Sequence, residues 1–125
     1  MVKIKNPSMK ISLLPPPVPQ RMREILKDYP DLIERVQEVL DAYVEKPYNL
    51  MPFEGAIWAL EGRLESFISE AREELEKAQA SGDPGAIRYA EEKERATRHA
   101  SSKNRGMSDL NEIWDYMEAH KESLI

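Results

Sequence analysis

Five carboxylates stand at a spacing that helical metal sites use. Glu70, Glu73 and Glu76 follow one another at intervals of three, and Glu112 and Asp115 repeat that interval. Residues three apart are neighbours on one helix face, so two such sets on adjacent helices would have the makings of a divalent-cation site for nucleotide hydrolysis. Their rotation works against that chemistry. At 100° per residue, Glu73 and Glu112 fall roughly opposite the apolar stripes of their own segments and point to solvent rather than into a shared cavity. A hydrated acidic face follows, and metal-dependent nucleotide hydrolysis stands third among the functional readings.

The remaining reactive side chains form no catalytic pattern. Of the two histidines, His99 and His120, neither has a partner three or four residues away that completes a metal motif, and H-E-x-x-H is absent. There is no G-x-S-x-G elbow and no glycine-rich phosphate loop. The chain has no cysteine, which removes thiolate nucleophiles, disulfides and cysteine-ligated zinc. The sequence thus assigns no catalytic residue, cofactor or metal ligand, and the expectation is a protein that binds rather than catalyses.

Two features suit binding. The first is a small-residue stripe: Gly55, Ala59, Gly62, Ser66 and Ser69 line up at helical spacing, with Trp58 beside them. Each interior glycine costs a helix about 1 kcal/mol relative to alanine, so two on one stripe suggest that another backbone approaches there. Gly55, Trp58 and Gly62, with Trp114 on the last amphipathic segment, are the predicted partner-binding residues.

The second feature is a basic stretch with Arg95, Arg98, Lys103 and Arg105, to which Lys10 adds a foothold near the start. These five are the candidate nucleic-acid contacts. Lys10-Ile11-Ser12-Leu13 followed by two short helical segments resembles the order of the ribbon-helix-helix regulators over residues 8–46. The proline run after the strand-like segment departs from that family. The resemblance implies paired strands in the major groove, Lys10 and Ser12 facing bases, and an acidic C-terminal half free to hold a protein such as a toxin. Pro16-Pro17-Val18-Pro19-Gln20-Arg21 also fits the P-x-x-P-x-R pattern taken by aromatic grooves of SH3 type.

The elements that would position these residues are helices. In the segment after Tyr29-Pro30, Leu32, Ile33, Val36, Val39, Leu40, Tyr43 and Val44 make one broad apolar stripe. After a linker over residues 46–51, Pro52 opens a helix whose seam is Ile57, Leu60, Leu64, Phe67, Ala71, Leu75 and Ala78, spaced as in a short coiled coil. Ser81-Gly82-Asp83-Pro84-Gly85 then reads as a bend: a left-handed glycine ends one helix, and an aspartate cap with a proline opens the next. Gly106 is expected to be another left-handed cap. Ser108 or Asp109 should cap a final helix whose face is Leu110, Ile113, Trp114, Met117 and Leu124.

Charge alternates along the chain. Residues 51–86 carry three Lys/Arg against eight Asp/Glu, residues 87–106 carry six against three, and residues 107–125 carry one against five. Residues 1–23 hold no acid at all. Such alternation lets helices of opposite sign attract across a hairpin or a dimer. Five prolines among residues 1–19 forbid a helix there.

The predicted protein is all-α, a helical bundle built on a long antiparallel helical hairpin, with an extended proline-rich N-terminal arm. Residues 1–19 form the arm and residues 20–125 a single helical domain. Its expected role is that of an adaptor, inhibitor or antitoxin-like factor that binds another protein or a second copy of itself. A dimeric DNA-binding regulator is the alternative. No run approaches the ~20 apolar residues of a membrane span, and a reducing cytoplasm is the expected compartment.

Overall fold

The computed structural model describes residues 15–46, 51–120 and 122. Among these the secondary structure is entirely helical: α1 (Gln20–Ile25), α2 (Pro30–Glu45), α3 (Pro52–Ser81), α4 (Pro84–Ser101) and α5 (Asn111–Ala119). Proline sets most of the boundaries. Pro30, Pro52 and Pro84 each open a helix, where no amide hydrogen is needed, and Pro19 directly precedes α1. The first helix stops at Ile25, before the break expected at Tyr29-Pro30, and residues 26–28 form a turn in which the Tyr29 amide donates to the Leu26 carbonyl.

The 30-residue α3 is the centre of the bundle. Ala56, Leu60, Leu64, Phe67 and Ala71 are its buried face, and Leu32, Val36, Leu40, Tyr43 and Val44 of α2 pack into the same core. Ile33 and Val39, expected on the stripe of α2, sit half-buried at its margins. Met22 and Leu26 close one side, and Met107, Ile113 and Met117 complete the core from the C-terminal segment.

Polar clamps fix the neighbours of α3. Both terminal nitrogens of Arg35 donate to the two carboxylate oxygens of Glu70 at 2.8 Å, while the guanidinium lies 4.7 Å from the centre of the Phe67 ring. One side chain thus bridges α2 to α3 by a bidentate pair and by cation–π contact. On the other flank, Lys93 pairs with Glu74 and Glu94 with Arg72, so α4 runs back along α3 in the opposite direction.

Two residues, Gly82 and Asp83, connect α3 to α4. Gly82 takes φ 73° and ψ 6°, the left-handed region, and its amide donates to the carbonyls of Ala78 and Gln79. The Asp83 carboxylate then accepts the Gly85 amide at 3.1 Å, capping α4. This end of the pair is thin: after Ala71 no residue of α3 is buried, and the first buried residue of α4 is Ala90.

Residues 15–19 bear on where the arm ends. Residues 1–14, including Lys10 and Ser12, lie outside the described residues. Pro16, Val18 and Pro19 are buried, with the Gln37 side chain donating to the Pro16 carbonyl and Arg23 to that of Val18. Pro19 has φ −54° and ψ 142°, the polyproline conformation. The stretch is extended but packed. The P-x-x-P pattern is therefore not displayed, since Pro16 and Pro19 face the protein and Arg21 donates to Ser108.

Gly106 corrects one expectation. Only Gly82 has positive φ among the described residues, so Gly106 is not a left-handed cap. Its role is steric: a β-carbon there would lie 2.6 Å from the Cα and carbonyl carbon of Ala100 and nearer still to the carbonyl oxygen, and the Gly106 amide donates to the His99 carbonyl. Past it, Asp109 accepts the Asn111 amide, but the residue flanking α5 is Leu110, which makes no side-chain cap.

These two environments predict opposite responses to alanine. Gly106→Ala should lower stability by about 1–3 kcal/mol through overpacking, whereas Gly62→Ala, with open space around the new carbon, should raise it by up to about 1 kcal/mol. Urea unfolding of both variants is the measurement, and a neutral Gly106→Ala would refute the close approach.

Candidate functional site

Large apolar side chains are exposed at and just before the N-terminal half of α3, at Tyr89 of α4 and at Trp114 of α5. Trp58 is 57% exposed and Met51 48% exposed. At 100° per residue Trp58, Gly62 and Ser69 fall on one stripe of α3, turned away from Leu60, Leu64 and Phe67, and Met51 is the residue that precedes the helix. Gly62 is exposed, and nothing lies within 4 Å of where its β-carbon would be. Among the described residues no backbone meets the glycine, so the close approach that its sequence suggested is not made by any of them. Gly55, expected on the same face, is buried in the first turn of α3, and Ala59 and Ser66 are half-buried.

Trp114 reaches this end of α3 from the neighbouring helix. It is 45% exposed, and its ring meets Phe53 edge-to-face at 5.0 Å between centroids. Phe53 and Ile57 pack on the core, which leaves one side of the Trp114 ring anchored and the other wet. Met51 escaped the sequence reading because it was assigned to the linker. Its position seven residues before Trp58 was the signal that it borders the stripe.

The carboxylates that opened the sequence analysis are scattered. Glu70 is engaged with Arg35, which holds its carboxyl below the usual carboxylate range, chiefly through the hydrogen bonds. Glu73, Glu76 and Asp115 are exposed, and Glu112 accepts the backbone amide of Gln20. Among the described residues no three of His, Asp or Glu are grouped as metal ligands would be. His120 lies against the Tyr116 ring, 4.5 Å between centroids, and burial raises the Tyr116 phenol.

Arg95 and Arg98 stand on the last turns of α4 beside His99, and Lys103 and Arg105 lie on the turn that follows. Burial lowers the His99 imidazole, and Arg105, Arg98 and Arg95 lower it further in that order. Arg98 also donates to Glu94 at 2.9 Å, which spends part of its charge within the fold. Lys103 and Arg105 are exposed on the turn after α4. Among the described residues, no helix is long and apolar enough to cross a membrane. Compared with family models, characterised proteins and solved structures, the chain matches none.

Two groups make stability fall on acidification, in separate windows. His99, lowered in the fold, is protonated more readily by the unfolded chain, so its contribution is complete above about pH 6.5 and declines below it. Glu70 acts as a paired carboxylate: its contribution is present above the ordinary carboxylate range and is lost as pH falls through its lowered value. In melts recorded against pH, His99→Gln should flatten the upper part of the decline and Glu70→Gln the lower part. An unchanged profile in either variant would remove that group from the account.

Proposed function

We propose that this protein is a small interaction factor, an adaptor, inhibitor or antitoxin-like protein, that works by holding another protein against the outward face of α3. The observation that carries this reading is the exposure of Trp58 on a helix whose opposite face already fills the core, with Met51 exposed just before that helix begins. Burying a side chain of that size stabilises a complex by about 1.5–3 kcal/mol, and single proteins seldom leave such residues grouped in water without a use. Gly62 supports it by leaving open space one turn along α3 from Trp58. Trp114 forms the edge of the surface, already oriented by Phe53.

A DNA-binding role is the second reading, favoured by the exposure of Arg95, Arg98, Lys103 and Arg105 on α4 and the turn after it. The two readings separate on variants. Trp58→Ala and Gly62→Leu should abolish complex formation while the monomer stays folded, because neither side chain belongs to the core. Retardation of duplex DNA that falls steeply with salt and is lost on Arg95→Glu with Arg105→Glu would favour the second reading instead. Light scattering with affinity capture reads the first outcome. If Gly62→Leu merely stabilises the protein and changes neither mass nor partner binding, the stripe is idle.

A further inference from the structure

The shape and border of the α3 face narrow the kind of partner that fits it. Trp58, Gly62 and Ser69 run along the axis, and the eleven-residue step from Trp58 to Ser69 spans about 17 Å at helical rise, with Met51 just before the helix start. The strip is one helix wide, because the flanks of α3 are taken by α2 through Arg35–Glu70 and Arg63–Glu38 and by α4 through Lys93–Glu74. A narrow face that shows the exposed Trp58 ring, with open space over Gly62 beside it, suits one amphipathic helix whose large side chain seats over Gly62 against that ring.

The border is acidic. Glu54, Glu61 and Glu65 lie along one side of the strip, and among the described residues no cation pairs with them. The basic residue nearest in sequence, Arg63, turns to Glu38 of α2 instead. This border argues against a second copy as the occupant, since two such faces in contact would set carboxylates against carboxylates.

We infer that the face holds a single amphipathic helix of a different protein, apolar at i, i+3, i+4 and i+7 and bordered by Lys or Arg. This rests on the α3 face being the binding surface at all, and the experiment separates the two claims. The probe is a fluorescein-labelled synthetic helix with leucines at those positions and lysines on both sides, titrated into the full chain by anisotropy. Two controls are the same peptide with glutamates for the lysines and a scrambled lysine–leucine sequence.

Saturable one-to-one binding is expected, weakened at least about tenfold, or about 1.4 kcal/mol, by Gly62→Leu and by Trp58→Ala, and reduced by salt. Glu61→Lys with Glu65→Lys should weaken the lysine probe and admit the glutamate one. Equal binding of the scrambled peptide or of the glutamate peptide to the unaltered chain would overturn the inference. So would a doubled mass in light scattering that Gly62→Leu returns to the monomer, since the occupant would then be a second copy. Failure of the probe, with a partner complex that still depends on Trp58, would overturn the basic-helix inference and leave the α3 face intact as the surface. Indifference of both probe and partner complex to Trp58 and Gly62 would overturn the surface itself.

Discussion

The arrangement depends on burying one face of one helix. Ala56, Leu60, Leu64, Phe67 and Ala71 cover about four turns of α3, and the apolar residues of the other elements converge on that length. Alpha-4 contributes little bulk to this core: Ala90, Thr97 and Ala100 are its buried residues. Small side chains let it lie close to α3, and Thr97 satisfies its hydroxyl locally by donating to the Glu94 carbonyl. The same economy explains Gly106, whose bare backbone is what can rest on Ala100 at the end of α4. The chain turns there without a wedge between α4 and the segment that brings Met107, Ile113 and Met117 into the core.

Electrostatics then chooses among packings that burial alone would allow. Arg35 satisfies the carboxylate of Glu70 while its flat guanidinium covers the edge of the core at Phe67. A lysine there would supply a point charge and lose both the fork and the stacking surface. On the opposite flank no guanidinium fork meets a carboxylate: Lys93 reaches both oxygens of Glu74 from a single nitrogen, and Glu94 divides itself between Arg72 and Arg98. Such pairs contribute little to stability individually and serve mainly to fix how the helices lie against each other.

Much of the helical architecture was legible because the chain states it locally. Prolines at helix starts, the left-handed glycine at residue 82 and the strict period of Leu32, Val36, Leu40 and Tyr43 act through neighbours in sequence, where no knowledge of the fold is needed. What escaped was nonlocal. Pro16 and Val18 look like arm residues until Gln37 and Arg23 are seen to hold their carbonyls, and Gly106 looks like a cap until Ala100 is seen beneath it. The candidate site divided along the same line. The exposure of Trp58 and Gly62 follows from helical period, but the burial of Gly55 depends on what surrounds the first turn of α3.

The thin end of the α3–α4 pair has a mechanical meaning. Ten residues of α3 lie beyond the last buried one, so the turn at Gly82 stands some 15 Å out from the core along the helix axis. The helix that carries Trp58 near one end carries this strut at the other, with a tight, capped reversal at its tip that resists fraying. A load or a steric obstacle met at the tip is therefore transmitted as torque to the same rigid rod that presents the exposed indole, which makes the strut a lever on the orientation of that face.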